Sequence, residues 1–210
     1  LEIPSMERFN MPRDCGNWCA DDDTVFAAIR DKCWQIDAQT GRVMQMHNVL
    51  PGTRDDWKYD WGYVARVGDQ LLGSAVKQGT AYTNFWGDAN AGWYDARSGP
   101  ATFKVCSDSL FALDAKTGVE RWTYRRGVIL NSTITATADT VYFVECRNKT
   151  INDAGARRVG SPELWRDQFL VALDTATGKT VWEQSLAVEP GIVVFYMAYA
   201  DGRLVINSSN

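Results

Sequence analysis

Three segments of this chain line up without a gap: Trp34–Gly41 (WQIDAQTG), Phe111–Gly118 (FALDAKTG) and Val171–Gly178 (VALDTATG). An internal repeat constrains the fold more tightly than composition does, because each copy must build the same local unit and bury a face against the next. The physics of the unit is readable. The apolar residues before the aspartate have strand character. Asp37, Asp114 and Asp174 can each accept backbone N–H groups two and three residues on, closing an Asx-type turn. Gly41, Gly118 and Gly178 then supply the positive φ of a tight reversal. Each unit is therefore a strand, a fixed turn and a returning strand. On the return strand a tryptophan stands four residues after the glycine in the second and third copies (Trp122, Trp182), and Gln45 stands there in the first. Such a tryptophan can bury roughly 150–250 Å² against a neighbouring sheet.

The aspartates are 77 and 60 residues apart, and the strands around them account for the difference. A pair of apolar strands precedes each unit: Arg13–Ala20 with Thr24–Arg30, Tyr63–Val67 with Gln70–Val76, and Ile129–Ala138 with Thr140–Glu145. A further pair, Ile192–Ala200 and Arg203–Asn207, follows the third. Each period thus reads A, B, C, D with the aspartate turn between C and D. Four antiparallel strands per period make one blade of a β-propeller. The expectation is an all-β chain of about three and a half blades over residues 13–49, 61–127, 129–188 and 191–210, the last unfinished. Two open sheet edges would remain, and such edges invite further pairing. With no initiator methionine or signal-like segment, the chain reads as a stretch of a longer protein whose remaining blades would cover those edges.

Excess length falls in three insertions, Leu50–Trp61, Lys77–Ser107 and Arg147–Arg166. The first joins D of one blade to A of the next, and the other two join B to C. In a four-stranded meander those connections all emerge on one face of the disc, while the A–B and C–D turns occupy the other. Binding residues concentrate on loops held by a rigid scaffold. The insertion face is therefore the candidate site, with Asp55, Asp56, Trp57, Trp86, Asp88 and Trp93 as candidate ligand- or partner-binding residues. Aromatic platforms beside carboxylates suit a protein interface, and they also suit small molecules such as carbohydrate or a quinone. The bland alternative is a satellite core under long loops.

Composition removes other classes. A net charge of −4 and a pI near 5.1 leave no footprint for nucleic acid. The longest uncharged apolar run, Gly191–Ala200, is far shorter than the roughly 20 residues of a membrane helix. With His47 as the single histidine, neither a Ser-His-Asp triad nor a histidine metal site is expected. Five cysteines (Cys15, Cys19, Cys33, Cys106, Cys146) include no CxxC and read as small buried hydrophobes rather than a metal centre. Asn131, Asn148 and Asn207 open Asn-x-Ser/Thr sequons, which read as chance occurrences.

The runs Leu110–Trp122 and Val171–Trp182, sharing Ala-x-Asp-x-x-Thr-Gly-x-x-x-Trp in register, resemble the tryptophan-docking repeat of PQQ-like (quinoprotein alcohol dehydrogenase-like) propellers. The resemblance covers nearly the whole chain outside the insertions. It implies a piece of a ring of seven or eight blades, and a periplasmic, envelope or extracellular setting. The family includes quinoprotein dehydrogenases and a lipoprotein scaffold of outer-membrane protein assembly. Gln45 and Gln35 depart from the repeat, so the first blade should be clamped less tightly or by other means. The dehydrogenases hold PQQ over a tryptophan floor, with calcium and often a disulfide between adjacent cysteines. This chain has no adjacent cysteine pair. The expectation is a non-catalytic scaffold or recognition module with no cofactor. The alternative is part of a PQQ- and calcium-dependent dehydrogenase.

Overall fold

The computed structural model describes residues 10–12, 17–84, 103–189 and 194–209. The first blade is β2 (Trp18–Ala20), β3 (Thr24–Ile29), β4 (Lys32–Asp37) and β5 (Val43–Asn48), each antiparallel to the next, preceded by a short β1 (Asn10–Pro12). The second opens with β6 (Tyr59–Val67) and β7 (Gln70–Lys77). The chain then leaves the blade through β8 (Tyr82–Asn84), which pairs with β1, and returns through β9 (Lys104–Ser107). β10 (Ser109–Asp114) and β11 (Glu120–Tyr124) complete the sheet in the order β11-β10-β7-β6. The third blade takes strand A from β12 (Val128–Leu130) and β13 (Thr135–Ala136), and strand B from β14 (Thr140–Cys146). Helix α1 (Lys149–Asp153), β15 (Arg158–Val159) and a 3-10 turn (Pro162–Trp165) follow. Its strands C and D are β16 (Gln168–Asp174) and β17 (Thr180–Leu186). β18 (Val194–Ala200) and β19 (Arg203–Ser209) form a hairpin, the start of a fourth blade.

The repeat explains how blades close. In every copy the aspartate Oδ1 accepts from the threonine N–H three residues on, at 2.7 Å for Asp37 and 2.8 Å for Asp114 and Asp174. The same threonine's hydroxyl donates to that oxygen. The glycines hold φ of +69°, +73° and +68°, the left-handed region a β-carbon resists. These bonds favour the ionised carboxylates, and all three aspartates titrate below the usual carboxylate range. For Asp37 and Asp174 the threonine hydroxyl leads. For Asp114 the Arg121 guanidinium, 2.6 Å away, contributes most. Each C–D turn is also tied to the A–B turn of its own blade. Ala38, Ala115 and Thr175 donate their N–H to the carbonyls of Asp23, Asp69 and Asp139.

Apolar layers lie between consecutive blades. Phe26, Cys33, Trp61, Leu71 and Phe111 fill the space between the first and second. Leu72, Ala112, Trp122, Val141 and Phe143 fill that between the second and third. A third layer, with Cys106, Leu130, Val144, Ile151 and Phe195, joins the third blade to the final hairpin and to α1. Inner strands such as β7 are packed on both faces, which is why they read as continuous apolar runs. Trp122, on β11, reaches the third blade: it is 7% exposed and its Nε1–H donates to the Thr175 carbonyl at 2.9 Å. The ring lies flat against Gly178, where a β-carbon would stand 2.5 Å from it. Gln45 occupies the corresponding place on the first blade, and buried His47 from the same strand lies against Gly118 of the second. Trp182 is 39% exposed and packs beside Tyr142, because the described part of the fourth blade contains no C–D turn.

Two expectations change. Strand Ile129–Ala138 is broken at Asn131–Thr133, which form a 3-10 turn. There the Asn131 side chain donates to the Gly62 carbonyl, and the Thr133 hydroxyl accepts from the Val144 N–H. Asn131, 3% exposed, is thus a structural amide and no glycan acceptor in the folded chain. The insertions are also more ordered than plain loops. β9 does not join its own blade but adds to the third blade beyond β12, with β15 outside it. Leu50–Trp61 ends early, since β6 begins at Tyr59.

Candidate functional site

The described parts of all three insertions meet on one side of the sheets. Trp57, half-buried on the loop between the first two blades, is the centre. Lys77 Nζ lies 4.1 Å from its ring centroid, the Arg54 guanidinium 4.6 Å and the Arg157 guanidinium 5.0 Å. One ring thus holds three cations drawn from three insertions, an arrangement favoured by the ring's negative face. Main-chain carbonyls anchor all three of these cations. Arg54 Nη2 donates to the Asn152 and Asp153 carbonyls at the end of α1, and Lys77 Nζ to the Gly155 carbonyl.

Beneath them lies a buried ion pair. Arg157 Nε donates to Asp108 Oδ1 at 2.7 Å, with both side chains 1% exposed. The remaining guanidinium nitrogens donate to carbonyls of Ile151, Asn152, Ala154 and Ala156, so the arginine gathers the whole turn after α1 around itself. A buried pair is tolerated only when such additional bonds satisfy it. Asp108 sits at the bend between β9 and β10, and the Thr53 hydroxyl also donates to it. Asp60, at the start of β6, is buried and accepts the Gly79 N–H and the Gln78 amide. Its burial pushes its carboxyl above the usual range. Beside this core Lys77–Thr80 and Gly155–Arg158 line an open cleft of about 380 Å³.

Of the candidate residues, Trp57 occupies the centre, while Asp55 and Asp56 are exposed on the loop beside it. Trp86, Asp88 and Trp93 lie outside the described residues. The first two insertions touch as their order along the chain implies, since Gln78 N–H donates to the Lys58 carbonyl. Arg54, Lys77, Asp108 and Arg157 were missed as site residues. Only Asp108 left a signal: a lone charge inside the apolar run from Val105 to Leu113.

The cysteines behave as packing. Cys33, Cys106 and Cys146 are buried, and burial pushes the thiols of Cys19 and Cys146 up to about 11, where a thiolate is scarce at neutral pH. Cys15 lies outside the described residues. No three His, Cys, Asp or Glu side chains converge as a metal site requires among the described residues.

Consecutive four-stranded antiparallel blades, tied turn to turn and layered through apolar faces, define a segment of a β-propeller with PQQ-like repeats. Residues 57–190, well over half of the chain, match the family described as outer membrane protein assembly factor BamB (PQQ_2), and the chain belongs to that family. Among solved structures it is similar to BamB from Moraxella catarrhalis, at 16% identity and a TM-score of 0.49, covering 92% of this chain and 43% of that one. A chain of a mitotic checkpoint complex shares 8% identity with a TM-score of 0.53, covering 98% and 52%. The computationally designed Ika4 protein shares 9% identity with a TM-score of 0.51, covering 91% and 82%. At these identities the likeness is one of fold. The chain spans less than half the length of that BamB structure. No curated protein matches in sequence.

Proposed function

We propose that this chain is part of a non-catalytic propeller scaffold of the cell envelope, and that its insertion-bearing face receives a protein partner. The observation that carries this reading is the match to an outer membrane protein assembly factor over residues 57–190, the stretch containing Trp57, Asp108 and Arg157. The geometry supports it. The described residues on that face form a rigid, cross-linked surface with an aromatic-cationic centre, which suits recognition more than chemistry. No cofactor belongs to this reading.

The test removes the parent protein from its host and measures β-barrel proteins in the outer membrane. Their levels should fall and recover when the parent is restored. Unchanged levels would refute the assembly role. Adding PQQ and calcium to the purified parent should produce no bound-quinone absorbance. If that absorbance appeared, with quinone-dependent dye reduction, the dehydrogenase reading would replace this one.

A further inference from the structure

Acidic side chains gather at the turns on the side away from the insertions. Every C–D turn holds an aspartate, and every A–B turn holds at least one: Asp37, Asp114 and Asp174 on the former, Asp21, Asp69 and Asp139 among the latter. Two arginines there pair with these acids, Arg66 with Asp21 and Arg121 with both Asp69 and Asp114. On the insertion face Arg126 and Arg147 pair with Glu183, and Lys149 with Asp153, while three other cations are held differently. Arg54, Lys77 and Arg125 each donate to main-chain carbonyls, Arg125 to that of Pro51 at 2.9 Å, and none forms an ion pair with a carboxylate among the described residues. Their charge is held in place and not neutralised. Among the described residues, the cleft beside Trp57 is lined by Lys77, Arg157 and Arg158 and by no acidic side chain.

This cluster of cations stands in a chain whose net charge is −4. It is also built rather than incidental. Arg157, neutralised by Asp108, organises residues 151–156 so that their carbonyls hold Arg54 and Lys77 against Trp57. Fixed cations whose solvation is already partly replaced by carbonyls lose less on meeting a carboxylate than free lysines would.

We propose that the cleft lined by Lys77–Thr80 and Gly155–Arg158, with the cations around Trp57, docks an acidic stretch of the partner protein, an extended segment bearing Asp or Glu carboxylates. This rests on the scaffold reading and gives the partner its chemistry. Carboxylates would bridge Lys77 and Arg54 along the rim, where both cations are held against the Trp57 ring. Asp55 and Asp56 flank the site and set its limit, repelling a segment whose charge extends past Trp57.

The test uses the full-length parent and a fluorescein-labelled decaglutamate peptide read by anisotropy. The peptide should bind, more weakly as salt rises, because the contact is between charges at the surface. Lys77→Glu should weaken binding by about tenfold or more, a loss equivalent to one strong charge contact. Lys116→Glu, on the opposite face, makes the same change in net charge and should leave binding within about twofold. Thermal melts establish that both variants fold. Absence of peptide binding by the parent, or equal loss in the two variants, would overturn the proposal. So would binding to phosphatidylglycerol vesicles with none to the peptide, since the site would then serve a lipid surface. These outcomes leave the scaffold reading standing, because β-barrel levels decide that question separately.

Discussion

Trp122 leaves β11 and lies on the turn of the next blade, sealing an apolar layer and donating one hydrogen bond across the junction. Trp122→Ala should cost about 3–5 kcal/mol in urea unfolding, the range for deleting a large buried aromatic. Trp122→Phe, which keeps most of the ring and leaves the Thr175 carbonyl without this donor, should cost about 1–3 kcal/mol. A Trp122→Ala cost below that of Trp122→Phe would refute the assignment of this residue to the junction. His47 fills the equivalent junction between the first two blades with different chemistry. It is 2% exposed, its Nε2 lies 3.2 Å from the Gln35 Oε1, and its Nδ1 is buried without a partner against Gly118. Burial lowers its proton affinity, while the nearby Asp114 carboxylate opposes that shift in part. Gln35 and Gln45 are the neutral groups beside it, and Asp114 is the charged one facing it from the second blade. The folded pKa therefore lies below the ordinary 6.5, and the unfolded chain binds the proton first. Stability from this residue is complete above pH 6.5 and is lost as pH falls through the folded pKa. Melting temperatures between pH 8 and pH 5 should fall more steeply for the natural protein than for His47→Leu. Parallel curves would show that His47 does not couple protonation to folding.

Among the elements, the strand that runs from β9 into β10 does most to build the site. It bends at Asp108, so its first half belongs to the third blade's sheet and its second half to the second blade. The ion pair with Arg157 fixes the bend. Arg157→Ala should destabilise by about 3–5 kcal/mol, because Asp108 would remain buried as an uncompensated charge. Asp108→Asn with Arg157→Leu should cost less than the sum of the two single changes, since each single variant leaves the other partner stranded. Additive costs in this cycle would mean the two residues act independently. These elements also show what could be read in advance. The Asp-x-x-Thr-Gly turns were legible because their bonds close within three residues, so the sequence window contains the whole interaction. Strand order followed from them. The placement of β9 was not legible, because Lys104–Ser107 has apolar pairing surfaces on both sides and its partner, β12, is chosen by packing more than twenty residues away. Arg157 read as one basic residue among several in a loop, and only the bend at Asp108 distinguishes it. Trp57 was legible as an exposed aromatic beside charges, but not the cations that surround it, since these come from three separate insertions.

For the molecule as a whole, the joints between blades are unequal. The second and third blades share a strand, a buried ion pair, the Trp122 contact and the bond from Asn131 to the Gly62 carbonyl. The first and second share an apolar layer, the His47 and Gln45 contacts at Gly118 and the bond from Trp61 N–H to the Arg30 carbonyl. In a repeat architecture stability is close to a sum of blade and interface contributions, so the weaker joint should open first. Native-state hydrogen exchange should therefore show β9, β10, β12 and β14 protected as one cooperative unit, while β3 and β4 exchange through a smaller opening. Lowering the pH below 6.5 should shrink the opening energy of the first blade selectively, since protonation of His47 acts on that junction alone. Trp122→Ala should have the opposite pattern, separating the second blade from the third and leaving the first blade's protection relative to the second unchanged. If Val105 and Leu110 exchanged through different openings in the natural protein, the shared strand would not couple the blades. The candidate site, which rests on that coupling, would then lack the rigidity that the proposed recognition role requires.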